Sequence, residues 1–232
     1  MADTMLALRE ITKVYGAGEA EVTALRTVNL AFEQGEFAAV VGPSGSGKTT
    51  LLNIIGCLDA PTSGELLWRG APMKTMTRTM LAAYRRTHVS FVFQSYNLIP
   101  VLTVTENVEL PLLIEGARDR TEIRERALEI LAMVGLSDKA DRRPNELSGG
   151  QEQRVAIARA LVKKPSIVLA DEPTANLDSH TAGEIIELMR EINAKTATTF
   201  LFSTHDQRIM DMARRIITLH DGQIERDERS SK

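Results

Sequence analysis

The 232-residue chain has one cysteine, Cys57. That excludes an internal disulfide framework and suits a reducing compartment. It also lacks an excess of positive charge. The formal net charge of -3 argues against bulk attraction to nucleic acid or anionic lipid, so no nucleic-acid partner is expected. No run approaches the ~18 apolar residues of a membrane span. The nearest, residues 98–114, is interrupted by Thr103, Thr105, Glu106, Asn107 and Glu109. Met1 to Thr4 lack the basic start of a secretory leader, and only a brief apolar stretch follows. The expectation is a chain soluble by itself that reaches a membrane only through partners. With 43 % hydrophobic residues, the length allows one sizeable domain, or a domain with a helical insertion, without disulfides.

What is present begins with Gly42-Pro43-Ser44-Gly45-Ser46-Gly47-Lys48-Thr49, a complete G-x-x-x-x-G-K-[ST] pattern. An apolar run, residues 37–41, precedes it, and an amphipathic helical pattern starting at Lys48 and continuing through Thr50 follows. Strand, glycine loop and helix in that order are what a phosphate cradle requires. Glycines let successive N–H groups turn inward toward phosphate oxygens, and the helix start adds partial positive charge. Lys48 would reach the terminal phosphates and the Thr49 hydroxyl would ligate Mg²⁺. The alternative is a Gly/Ser-rich turn that contains a lysine. A dinucleotide fingerprint is excluded, because Thr50 stands where its third glycine belongs.

The rest of the chain reads as α/β. Residues 6–15 and 22–32 alternate as two strands of an antiparallel hairpin, with Tyr15 at its tip. Stacking on a base and ordinary packing are both open for that ring. Residues 88–93 form a strand that ends at Gln94, which by itself reads as a solvated strand end. Residues of about 95 to 160 look helical with strands on either side, a pattern that suggests a helical subdomain inserted into an α/β core. Capping signals open helices at Thr103 and Asp119. Ser148-Gly149-Gly150-Gln151 has capping-box spacing. Its two glycines weaken a helix by ~1 kcal/mol each. An ordinary capped helix is one reading; bare backbone approaching an anion is the other.

Residues 166–170 are continuously apolar, the mark of a central parallel strand. The run ends in Asp171-Glu172, where ligands bind in open α/β sheets. Asp171 would hold Mg²⁺ and Glu172 would polarise an attacking water, against the alternative of a solvated strand end. His205 follows a further strand, so it is either a surface or capping residue or part of the same site. Residues 215–220 and 223–225 make a final hairpin, and 227–232 read as a disordered charged tail.

Together these stretches resemble the ATP-binding cassette ATPase family over nearly the whole chain. Residues 42–49 resemble its Walker A motif, Gln94 the Q-loop, and Leu147-Ser148-Gly149-Gly150-Gln151 the signature. Residues 167–172 resemble Walker B, Asn176-Leu177-Asp178 the D-loop, His205 the switch histidine, and Tyr15 the adenine-stacking aromatic. The resemblance implies a P-loop NTPase core with a mostly parallel sheet, an N-terminal antiparallel β subdomain and an inserted helical subdomain. The core and its antiparallel part would take 1–94 and 163–226, and the helical part about 95–162.

It also implies ATP and Mg²⁺ as ligands, with Thr49, Asp171 and Gln94 at the metal. Glu172, His205, Lys48 and Gln94 would be catalytic. Gly42, Pro43, Ser44, Gly45, Ser46, Gly47, Thr50, Ser148, Gly149, Gly150, Gln151 and Asp178 would lie around nucleotide. Two copies would close head to tail around ATP and move integral membrane permease subunits, contacted near Gln94 and the residues up to about Thr103. That points to the cytoplasmic face of a bacterial inner membrane. Residues 56–64 and 169–178 look like the subgroup of lipoprotein-releasing and macrolide-efflux ATPases. Departures are Glu152, where Gln, Lys or Arg is common, and Ala175, where Gly is frequent. The competing expectation is a soluble cassette ATPase or a cell-division scaffold. Repair members carry a long coiled coil and translation members a tandem cassette, and this chain has neither.

Overall fold

In the computed structural model, which describes residues 4–230, the strands among the described residues fall into two sheets. The antiparallel one consists of β1 (Thr4–Tyr15), β2 (Val22–Glu33), β4 (Ser63–Trp68) and β5 (Ala71–Pro72), in the order β2-β1-β4-β5. The other contains β3 (Phe37–Val41), β6 (Val89–Phe93), β7 (Ile167–Asp171), β8 (Thr199–Ser203), β9 (Arg215–His220) and β10 (Gln223–Arg229). Its order is β10-β9-β3-β8-β7-β6, parallel throughout except for β10.

Successive side chains of a strand point to opposite faces, so a central strand feeds two cores at once. Here Ala39, Val168, Ala170, Phe200 and Phe202 join the helical core, whereas Ala38, Val40, Ile167, Leu169 and Leu201 join the core beneath the antiparallel sheet. All ten are fully buried. The helical core is completed by α3 (Val104–Glu115), α4 (Arg120–Met133), α5 (Gly149–Leu161) and α6 (Ser179–Thr196). The helix α1 (Lys48–Ile55) buries Leu51, Leu52, Ile54 and Ile55 in the other core. The helix α2 (Arg78–His88) adds Tyr84.

Local chemistry sets the helix starts. Thr103 and Ser148 form complete capping boxes before α3 and α5, while Asp119 and Asp178 cap α4 and α6 through their carboxylates. Between β6 and β7 the described residues hold helices and no strand. A short helix, α7 (Gln207–Met212), follows β8 and was not expected.

The charged stretch at 227–232 is a correction. β10 runs through Arg229, and Asp227 forms a two-pronged ion pair with Arg215 at 2.7 Å. Arg215 is 5 % exposed; it also reaches Glu36 at 2.9 Å and the Ala31 carbonyl at 2.6 Å. A buried guanidinium without carboxylates is costly, so its demand for partners orders a segment whose composition suggested disorder. The leader expectation at Met1–Asp3, and the end of the expected tail at 231–232, lie outside the described residues. No helix among the described residues is long and apolar enough to cross a membrane.

Candidate functional site

Neighbouring strands of a sheet lie ~4.8 Å apart, so residues just beyond their C-terminal ends converge if the strands are parallel. Four such ends meet here in the order β3-β8-β7-β6. They bring Gly42, His205, Asp171 with Glu172, and Gln94 to one cleft of about 610 Å³. Pro43, Ser44, Gly45, Gly47, Lys48, Thr49 and Thr50 line it as well.

The loop from β3 curls over the start of α1. Gly47 occupies the N-cap with φ 104°, and a β-carbon there would stand 2.4 Å from the Ala24 carbonyl oxygen. Only glycine satisfies both conditions. As an N-cap it offers no side-chain oxygen, so the first-turn N–H groups of α1 face the cleft side without a side-chain acceptor. Such a terminus favours an anion. The Lys48 ammonium donates to the carbonyls of Gly42 and Pro43 at 2.8 and 2.9 Å, which holds its charge across the loop.

On the facing strand, Asp171 Oδ2 accepts from the Thr49 hydroxyl at 3.1 Å. A hydroxyl, a carboxylate and the Gln94 carboxamide are hard oxygen donors suited to Mg²⁺. Among the described residues no group of three or more His, Cys, Asp and Glu could hold a metal. One carboxylate, one hydroxyl and one carboxamide would leave a cation in this cleft positions for water and phosphate, as is common for Mg²⁺.

Glu172 has φ 47°, a left-handed backbone unusual for this residue. Its N–H donates to the Ser203 carbonyl at 2.9 Å. The carboxylate faces His205 Nδ1 at 2.9 Å and Thr204 Oγ1 at 3.5 Å. A carboxylate only accepts, so the hydrogen sits on Nδ1 of His205 and the second ring nitrogen is free for another partner. The arrangement offers a positioned acceptor for a proton beside a phosphate cradle.

Several residues singled out in the sequence lie elsewhere. Tyr15 does not line the cleft; it is 41 % exposed and donates to Asp59 at 2.7 Å, with the Lys13 ammonium 4.7 Å from its ring centre. Burial and then the Asp59 contact raise its phenol above the ordinary value. Ser46 is buried, with its hydroxyl unpartnered. Asp178 caps α6 through the N–H groups of His180 and Thr181. Ser148, Gly149, Gly150 and Gln151 form the first turn of α5, outside the cleft. Their capping box engages the N–H groups of Ser148 and Gln151 and leaves those of Gly149 and Gly150 outside it. Burial raises the Glu152 carboxyl in the same turn, and its charge adds to burial in raising the Tyr96 phenol.

Sequence reasoning missed three contributors. Ala24 of β2 and Ser203 line the cleft, and Thr204 touches Glu172. The polar strand end flags Thr204, but nothing local marks Ala24, which is brought in by the packing of the other sheet.

The two glycines also have a reason within the chain. A β-carbon on Gly150 would stand 2.3 Å from Thr181 Cγ2, and one on Gly149 would stand 3.0 Å from the Tyr96 hydroxyl. Gly150→Ala gains ~1 kcal/mol of helix propensity but overpacks against a stiff β-branched side chain at a cost of ~1–3 kcal/mol. At the middle of that range the net loss is ~1 kcal/mol, so the variant should melt about 2–4 °C below the parent, and adding Thr181→Ala should recover most of that. Thermal denaturation decides it; a single variant as stable as the parent would remove the steric account.

A family model described as ABC transporter matches residues 25–175. The ABC transporter ATP-binding protein MJ0796 of Methanocaldococcus jannaschii is 49 % identical over 228 residues, 97 % of each chain. The macrolide export ATP-binding/permease protein MacB of Hyphomonas neptunium is 45 % identical over 97 % of this chain but only 34 % of its own length. The chain thus spans about a third of that relative. A dimeric structure of MJ0796 in a post-hydrolysis state, bound to ADP and Pi, superposes with a TM-score of 0.89 and 48 % identity. It covers 98 % of this chain and 100 % of the other.

Proposed function

The chain belongs to the ABC transporter family, and from that premise we propose that it is the ATP-hydrolysing cassette of a transporter or extraction machine, closing as a dimer around ATP to move membrane-embedded partners. The observation that carries the reading is the single cleft in which the Gly42–Thr50 loop, Asp171, Gln94 and the Glu172–His205 pair converge. The relatives supply the rest: one is a cassette captured as a dimer with ADP and Pi, and another joins its ATP-binding part to a permease.

In this reading the first-turn N–H groups of α1 and the Lys48 ammonium hold the phosphates. Thr49, Asp171 and Gln94 would hold Mg²⁺, which would supply charge neutralisation at the phosphates. Water attacks the terminal phosphorus, its proton passes to Glu172, and the bond to the β-phosphate oxygen breaks. The His205 Nδ1–H keeps the Glu172 carboxylate aimed.

Residues Ser148, Gly149, Gly150 and Gln151 do not line this chain's cleft. They are assigned to the γ-phosphate of a second copy, where the unengaged N–H groups of Gly149 and Gly150 meet negative charge. Asp178 holds the adjoining segment of α6 at that interface, and Tyr15 stands beside α1 where an adenine ring would stack. The helical part would occupy about 95–162. The place of action is the cytoplasmic face of the membrane, reached through permease subunits. Purified with ATP and Mg²⁺, the chain should release phosphate, and EDTA should suppress release by at least an order of magnitude. A phosphate-release assay reads both, and turnover indifferent to EDTA would overturn the metal assignment.

A further inference from the structure

Gln94 and Asn176 form a reciprocal pair of contacts between the end of β6 and the segment leading into α6. Asn176 Nδ2 donates to the Gln94 backbone carbonyl at 3.0 Å. That leaves its Oδ1 as an acceptor, and Gln94 Nε2 donates to it at 3.2 Å. Carboxamide orientation is ordinarily free to invert, because nitrogen and oxygen have the same shape. Here the order is determinate. One end of Asn176 is committed to a main-chain carbonyl, which can only accept. The other end must then face a donor, and on Gln94 that is Nε2. The one remaining end of the Gln94 carboxamide is its oxygen, and Gln94 lines the phosphate cleft.

Asn176 is rigidly mounted. Its segment makes two successive tight turns, Ala175 N–H to the Glu172 carbonyl at 3.2 Å and Leu177 N–H to the Thr174 carbonyl at 3.1 Å. Thr174 Oγ1 is tied to Asp206 at 3.0 Å, and the Pro173 carbonyl accepts from the buried Gln153 at 2.6 Å. Asn176 therefore shares one braced loop with Glu172, and Gln94 opens the turn after β6, whose Tyr96 and Asn97 carbonyls accept from Arg159.

We propose that Asn176 is a positioning residue that sets which end of the Gln94 carboxamide faces the cleft, presenting oxygen rather than nitrogen to a cation. This rests on the reading of Gln94 as a metal ligand. Groups that hold a ligand by its far end commonly change metal affinity ten- to a hundredfold when removed. Both side chains here are exposed, so water partly replaces the contact and the lower end of that range applies.

The test uses the full chain carrying Glu172→Gln, so that nucleotide is not consumed, with ATP present and Mn²⁺ as the probe cation read by electron paramagnetic resonance. Asn176→Ala should weaken Mn²⁺ binding about tenfold. Its ATP affinity in EDTA should stay within twofold of the parent, and its melting temperature should be unchanged. Asn176→Asp keeps the acceptor for Nε2 and should recover part of the loss. In a Gln94→Ala background, Asn176→Ala should add nothing. If Gln94→Ala weakens Mn²⁺ and Asn176→Ala does not, the positioning role is overturned while the ligand reading stands. An undiminished Asn176→Ala effect in the Gln94→Ala background overturns it equally. If Gln94→Ala itself leaves Mn²⁺ affinity intact, the ligand reading falls and takes the proposal with it.

Discussion

Replacing Glu172 with glutamine is expected to lower ATP turnover at least ~100-fold and to turn a weakly associating chain into an ATP-dependent dimer. The substitution is nearly isosteric. The side-chain oxygen that accepts from His205 Nδ1 at 2.9 Å is retained, and so is the N–H contact to Ser203 that fixes the left-handed backbone. What disappears is the capacity to take a proton, which general-base catalysis values at roughly 10²–10⁴ in rate. Nucleotide affinity has no reason to fall, because the loop, Lys48 and Thr49 are untouched. Binding energy that normally drives a cycle then accumulates in the closed state, since ATP stabilises whichever form binds it. Phosphate release and sedimentation with and without ATP measure the two halves separately. Parent-like hydrolysis would show that the proton goes elsewhere, whatever the dimer does.

The strand ends were the most legible part of this molecule, for a physical reason. A short apolar run that ends abruptly in Asp171-Glu172 or Ser203-Thr204-His205 reads most simply as a buried strand emerging at a polar edge, and β7 and β8 are such strands. Helix starts were legible for a similar reason, because Thr103, Asp119 and Ser148 satisfy orphan N–H groups locally. Strand order was not. Each parallel crossover carries a helix of no fixed destination, so nothing local says that β8 lies between β3 and β7.

Order is what converts separate polar ends into one cleft. It explains why the Glu172–His205 contact and the place of Ala24 emerged only from the fold. The misread tail belongs to the same class: Asp227 is a surface charge by composition and the counterion of buried Arg215 by topology. Gly150 carries the converse lesson. Its cost in a helix hinted at a ligand, and Thr181 of the same chain gives a second, independent reason for the absence of a side chain there. The Gln94–Asn176 pair is the least visible of all, because it joins residues 82 positions apart through groups that are individually unremarkable in sequence.

Lys48→Ala should raise the dissociation constant for ATP by two to three orders of magnitude. One ammonium about 4 Å from one phosphate charge is worth ~1 kcal/mol in water and ~4 kcal/mol near a protein surface. The Lys48 group is part-buried where it donates to Gly42, and a triphosphate presents more than one charge, so the upper part of that span applies. The ammonium has a second task, since its contacts to the Gly42 and Pro43 carbonyls brace the loop that presents the N–H groups. Removing it loosens the cradle as well as the charge, and both effects act in the same direction. Lys48→Arg separates them: the charge is kept, but the planar, larger head does not fit between two carbonyls 2.8 and 2.9 Å from a compact ammonium. An intermediate loss is expected there. The decisive combination is Lys48→Ala with Glu172→Gln. If ATP is what holds two copies together, the double variant remains monomeric at ATP concentrations that dimerise Glu172→Gln alone. Isothermal titration and sedimentation on the same preparation read both consequences. A double variant that still dimerises on adding ATP would mean that association does not depend on this loop.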